Sequence, residues 1–172
     1  FQDVQATVEV FVVFGSVARG LATPRSDVDL CIVGNGVQER RFDYPPYRFE
    51  VHTYEREALA LPADLVLLDA LLNGVVWKGH ALVYAALKDL RAFPKGYLLY
   101  RLQQGKGYLE RAAGTQGEAH DYYCSLARVS LGEIASVLHH GTVLSKSEIA
   151  EMAPVEAIEK ELAQKGDQIW LM

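Results

Sequence analysis

Apolar residues run almost unbroken from Val8 to Phe14 and stop at Gly15-Ser16. A β-branched and aromatic run bounded by glycine predicts a buried strand. After Pro24 and Ser26 the pattern resumes, and Asp27–Val33 reads as a second strand. A third is predicted by alternation around residue 50, where Phe49 and Val51 share one face and Arg48, Glu50 and His52 the other. Beyond it the period lengthens from two to about 3.6. Leu65–Leu72 reads as a helix stopped by Gly74, and Val75-Val76-Trp77 as a short strand. Gly79–Phe93 reads as an amphipathic helix ended by Pro94. Lys95–Ala113 reads as another, weakened by Gly105 and Gly107. Gly114–Gly117 is a loop. Glu118–His140 is a long helix closed by Gly141, with Leu126, Val129, Ile134, Val137 and Leu138 as core positions. Ser145 and Glu148 have capping-box spacing for a short helix, and Pro154 suits the first turn of a last one ending near Lys165. The expected architecture is α/β: a small mixed sheet with flanking helices over residues 1–80, then a helical bundle over 81–172.

Composition narrows the class. Of 172 residues, 50% are apolar and 23% charged, an ordinary globular balance. No apolar run reaches the length of a membrane span and no signal peptide is visible, so a cytoplasmic protein without a membrane partner is expected. Cys31 and Cys124 are too few and too far apart for a disulfide framework or a zinc site, and Cys31 reads as a small apolar residue within its strand. A net charge of −5 argues against a nucleic-acid partner. The charge is uneven: six basic residues against two acids lie between Lys88 and Arg111. That is the pattern of a solvated helix face or of a surface meeting an anion.

The chemistry concentrates near the N-terminal end. Glycine lets a backbone approach a ligand closely, and the N–H groups opening the turn at Gly15-Ser16 suit phosphate oxygens. Ser16 adds a hydroxyl. Ten residues later Asp27 and Asp29 share a strand face. Carboxylates that close repel unless a cation joins them, and magnesium takes carboxylate and phosphate oxygens together. Glu50 is the choice for a third carboxylate from a neighbouring strand. His52 shares its face and is a lesser candidate for touching substrate. His139-His140 point about 100° apart on a helix and do not grip one ion.

Gly15-Ser16-Val17-Ala18-Arg19-Gly20, followed by Ser26-Asp27-Val28-Asp29-Leu30, resembles the signature of the DNA polymerase β-like nucleotidyltransferase superfamily. The branch it is most similar to is that of the minimal (MNT-type) and kanamycin nucleotidyltransferase-like proteins. The resemblance covers residues 8 to about 52. It implies that Gly15, Ser16, Arg19 and Ser26 form the nucleotide-binding segment, with Arg19 supporting the phosphate loop. It also implies that Asp27, Asp29 and Glu50 are the catalytic, metal-binding acids for two Mg2+ ions. The family's third acid is often Asp, so Glu50 departs from the pattern. Family members usually carry a helix before the first strand, and only Phe1–Thr7 precede it here. In the helical half, Asp121-Tyr122-Tyr123, Ala127-Arg128, Val137–Gly141 and Ser145-Lys146 are similar to the HEPN-type bundle that accompanies minimal nucleotidyltransferases. The Arg–His spacing of HEPN ribonucleases is absent, so substrate binding, not RNA cleavage, is the role implied.

The resemblance therefore implies an enzyme that moves a nucleoside monophosphate, AMP from ATP or another NTP, to an acceptor hydroxyl and releases pyrophosphate. The acceptor is a small molecule such as an aminoglycoside, or a protein. An antitoxin-type protein adenylyltransferase and a non-catalytic nucleotide-binding module are the alternatives. The acceptor is expected between the halves, with Glu110, Glu118 and Glu133 or Lys95, Arg101 and Lys106 lining it. The helical half is also a candidate homodimer face.

Overall fold

The computed structural model describes residues 8–37, 40–62, 64–146, 148–149 and 151–171. The expectation about Phe1–Thr7 lies outside the described residues. The chain divides into two compact units, Phe1–Leu90 and Arg91–Met172.

The first unit is built on a five-stranded mixed sheet. Its strands are β1 (Val8–Phe14), β2 (Val28–Gly34), β3 (Arg40–Tyr44), β4 (Tyr47–Tyr54) and β5 (Val75–Lys78). The spatial order is β3-β4-β2-β1-β5. β2 runs parallel to β4, while β1 is antiparallel to β2 and β5, and β3 to β4. A one-turn helix, α1 (Gly15–Ala18), follows β1, and α2 (Leu65–Asn73) and α3 (His80–Asp89) follow β4 and β5.

Alternation along the strands sorts the side chains by face. Val10, Val12, Phe14, Cys31 and Val33 form a buried cluster with Leu67, Ala70 and Leu71 of α2 and Val83 of α3. Leu30, Ile32 and Val51 form a separate cluster on the opposite face. There Phe42 of β3 stacks on Phe49 of β4, ring centroids 4.9 Å apart. The sequence alternation of Phe49 and Val51 against Glu50 and His52 is thus the division between two faces of one sheet.

Helix α2 begins where its polar residue can cap it. Asp64 accepts a hydrogen bond from Leu67 N at 2.8 Å, satisfying one of the free donors of the first turn. The same carboxylate accepts from Tyr54 Oη at 3.0 and 3.1 Å, which fastens the helix start to the end of β4. Asp64→Ala removes both contacts and is expected to cost about 1–2 kcal/mol. Chemical denaturation of the variant against the wild type measures the loss.

In the second unit, α4 (Lys95–Ala113) and α5 (Glu118–His140) pack side by side, and α6 (Val155–Gln164) packs on both. Gly105 does not break α4. A Cβ there would lie 2.9 Å from Leu131 Cδ2 on α5, so the missing side chain lets the two helices approach. Arg101 of α4 pairs with Glu133 of α5, and Arg101 Nη1 donates to Gln104 Oε1 at 2.8 Å. Both charged side chains are more than four-fifths buried, which suits a pair that fixes helix register rather than a lining for ligand. Ile134 and Val137 are buried as expected, but Ala127, Ser130 and Leu131 share the core with them, and Leu126, Val129 and Leu138 are only partly covered.

The expected helix over Gly79–Phe93 is shorter. It stops at Asp89, Leu90 is extended (φ −68°, ψ 106°), and Ala92–Pro94 forms strand β6. That strand pairs antiparallel with β7 (Gln168–Trp170). A partner so distant in sequence leaves no local periodicity to read. At Ser145 the reciprocal capping-box bonds are present, Ser145 N to Glu148 Oε2 at 2.7 Å and Glu148 N to Ser145 Oγ at 3.3 Å. They close a turn among the described residues, with residues 147 and 150 outside the description. Among the described residues, no helix is long and apolar enough to cross a membrane.

Candidate active site

The site is assembled where β1, β2 and β4 lie side by side. In the parallel β2–β4 ladder Asp29 faces Glu50 and Cys31 faces His52, and in the β1–β2 ladder Phe14 faces Asp29. Residues in register share a face. Asp29, Glu50 and His52 therefore stand together, each half-buried, with one potential ligand atom apiece and all three atoms within 4.8 Å of one another. The Phe14 and His52 rings meet edge-on at 5.7 Å, and Phe14 belongs to the buried cluster under α2.

Gly15 explains why the strand ends in glycine. Its φ is +69°, and a Cβ at this position would lie 2.1 Å from Asp29 Oδ2. The backbone turn and the carboxylate occupy the space that any side chain would take. Ser16 lies in α1, half-buried, and its carbonyl accepts from Leu21 N at 2.9 Å.

The other expected residues hold the surrounding chain. Arg19 pairs with Asp69 in the middle of α2, and Asn73 Nδ2 donates to the same oxygen at 2.8 Å. Both members of the Arg19–Asp69 pair are nearly buried, so Arg19 ties the turn to the helix behind it. Ser26 Oγ accepts from Thr23 N at 2.9 Å and so braces the connection leading to β2. Asp27 immediately precedes β2. Its Oδ1 lies 2.8 Å from Arg48 Nε, and Arg48 Nη2 donates to the Arg25 carbonyl at 2.7 Å. Asp27 is outside the Asp29–Glu50–His52 group. Arg41 of β3, opposite Glu50 in register, donates to Glu50 Oε1 at 2.5 Å.

Several of these partners were not anticipated from the sequence. Asp69 carries a signal: it is the lone acid in an otherwise apolar helix, with Asn73 one turn on. Arg41 and Arg48 carry none without the β3–β4 register. His52 is legible as a face-mate of Glu50, but its closeness to Asp29 depends on the parallel pairing of strands separated by β3.

Cys31 is buried beside the site, and its thiol is pushed up to about 12 by burial, with the Asp64 carboxylate adding to the rise. A thiol held neutral is a poor nucleophile. With Cys124 the only other cysteine, an aromatic disulfide reagent at about pH 8 is expected to label one thiol per native chain, Cys124, and both in denaturant. Labelling of Cys31 in the native protein contradicts the burial.

A glycine turn pressed against one carboxylate, with a second carboxylate in register on the next strand, defines a site able to hold a divalent cation beside an anionic ligand. Residues 2–90, a little over half the chain, match the nucleotidyltransferase domain family, and the chain belongs to that family. Nucleotidyl transfer in general is the activity this membership assigns. A nucleotidyltransferase-like protein from Exiguobacterium sibiricum 255-15, known from its crystal structure, is 14% identical, with 95% of this chain and 72% of that chain covered and a TM-score of 0.41. No curated protein matches the chain.

Two carboxylates and an imidazole nitrogen within 4.8 Å are a donor set that fits a divalent cation. The absence of a side chain at Gly15 lets Asp29 seat against the turn at the end of β1, which keeps that carboxylate within the group.

Proposed function

We propose that the protein transfers a nucleoside monophosphate from an NTP, with ATP the first donor to test, to a hydroxyl of a small-molecule or protein acceptor. The observation that carries this reading is the seating of Asp29 against Gly15 with Glu50 as its register partner. In the reaction the acceptor oxygen forms a bond to the α-phosphorus, the bond from that phosphorus to the bridging oxygen breaks, and pyrophosphate leaves. The acceptor proton passes to solvent or to a carboxylate not engaged with the cation. Asp29 and Glu50 would hold the cation, expected from the family resemblance to be Mg2+. Asp27 would offer a carboxylate oxygen for a second ion in exchange for its contact with Arg48. Such ions neutralise the triphosphate charge and lower the pKa of the attacking group.

The chain's own residues supply position. Gly15 makes room for Asp29 against the turn at the end of β1. Arg19 holds the turn through Asp69, and Ser26 and Arg48 hold the connection that delivers Asp27 and Asp29 to β2. The helical unit would serve acceptor recognition, the role implied by its resemblance to HEPN-type bundles. The test is incubation with each α-labelled NTP, a divalent cation and panels of hydroxyl acceptors, reading label transfer and pyrophosphate release. Cation-dependent NTP binding with transfer to an acceptor is the expected result. Absence of any cation-dependent NTP binding overturns the reading.

A further inference from the structure

We propose that His52 is a cation ligand alongside Asp29 and Glu50, and that its nitrogen biases the site toward Mn2+ over Mg2+. The inference rests on reading the Asp29–Glu50 pair as a cation site, and not on which group is transferred or to what.

The parallel β2–β4 register is the first support. It places His52 one step beyond Glu50 on the face that carries Asp29, opposite Cys31. Spacing is the second. His52 Nε2 lies 3.8 Å from Glu50 Oε1, too far for a direct hydrogen bond. Ligand atoms surrounding one ion at about 2.0–2.2 Å stand roughly 3–4 Å apart, so this separation suits two groups that share a third body. The ring itself is the third. Its edge-on contact with Phe14 restricts its rotation, and a ring held in place loses little freedom on binding. Asp27 supplies the contrast, since it lies outside this group of ligand atoms and its Oδ1 stands 2.8 Å from Arg48 Nε. Arg41 is no obstacle at Glu50. Its side chain is 79% exposed against 24% for Glu50, so a cation that takes Glu50 Oε1 displaces a guanidinium that has solvent to enter.

The chemistry of the donor set then decides the preference. Carboxylate and water oxygens serve Mg2+ and Mn2+ alike, whereas an imidazole nitrogen binds first-row transition ions, Mn2+ the weakest of them, better than it binds the harder Mg2+. Replacing one oxygen ligand by His52 therefore weakens Mg2+ relative to Mn2+, leaving the two carboxylates to set the charge.

The experiment uses the full chain without nucleotide, titrated with Mn2+ and followed by electron paramagnetic resonance. In the wild type the spin-echo envelope of bound Mn2+ is expected to carry imidazole nitrogen modulation. His52→Asp is expected to keep Mn2+ binding but lose the modulation, and Mg2+ is expected to displace Mn2+ at about tenfold lower concentration than in the wild type. His52→Gln, which retains an uncharged side chain, is expected to lose the modulation and weaken Mn2+ binding. Thermal melts of both variants establish that they fold. Three results overturn the inference: no Mn2+ binding by the wild type, bound Mn2+ without nitrogen modulation, or modulation that persists in His52→Asp. The last outcome assigns the nitrogen to another histidine. Transfer of label from an NTP with no nitrogen modulation sinks this inference and leaves the proposed function standing. Nitrogen modulation with no NTP binding does the reverse.

Discussion

Gly15→Ala is expected to abolish cation-dependent NTP binding and to lower the melting temperature. Two independent penalties combine at this position. The backbone at φ +69° lies in the left-handed region, which costs a residue with a side chain about 1–3 kcal/mol when the surroundings impose it. The added methyl carbon would also stand 2.1 Å from Asp29 Oδ2, a separation no pair of atoms tolerates. Either Asp29 turns away from Glu50 or the turn swings off the end of β1. Both outcomes dismantle the site, so NTP binding should fall at least about a hundredfold, equivalent to about 2.7 kcal/mol. Gly20→Ala is the control. Its φ is +70°, but nothing lies within 4 Å of the Cβ it would gain. It should show the backbone penalty alone and retain binding. If Gly15→Ala binds NTP like the wild type, the contact between the turn and Asp29 has no functional role.

Asp29→Asn is expected to separate function from stability. The substitution keeps the shape of the side chain and removes a negative charge beside Glu50, so like-charge repulsion within the ion-free site falls and the melting temperature should hold or rise slightly. Cation binding loses one of its two carboxylates. Transfer should drop by about a thousandfold or more, about 4 kcal/mol of transition-state stabilisation. Differential scanning calorimetry and the labelled-NTP assay read the two quantities on the same preparation. A sharp loss of stability with transfer intact would make Asp29 a structural residue and remove the mechanism with it.

Much of the fold was legible because the elements concerned are locally determined. The Val8–Phe14 run ends at a glycine and is a strand over those residues, and Lys95–Ala113 is a helix over the predicted span despite its two glycines. What escaped depends on partners remote in the chain. Ala92–Pro94 reads as the tail of a helix until Gln168–Trp170 pairs with it. The hairpin of β3 and β4 was not anticipated, and with it went the arginines that face Asp27 and Glu50. The candidate site was legible in part for the same reason. Asp29 and Glu50 follow from strand faces, but the nearness of His52 and the diversion of Asp27 toward Arg48 require the register itself. Gly105 shows the converse. Propensity counts it as a weakness, while the packing of α4 against α5 uses the absence of its side chain.

Helix α2 is fastened at its start and again at its middle to the segments that build the site. Asp64 before its first turn holds Tyr54 at the end of β4, and Asp69, which also accepts from Asn73, holds Arg19 just past the turn that follows β1. At about 1.5 Å per residue the stretch from Asp64 to Asp69 is a strut of roughly 7–8 Å between the end of β4 and the turn after β1. Fraying of α2 would release the Gly15–Arg19 turn and the β4 terminus together, so amide hydrogens in these three segments should exchange with solvent as one cooperative group. A ligand gripping the turn would slow exchange along the helix as well, although it touches no residue there.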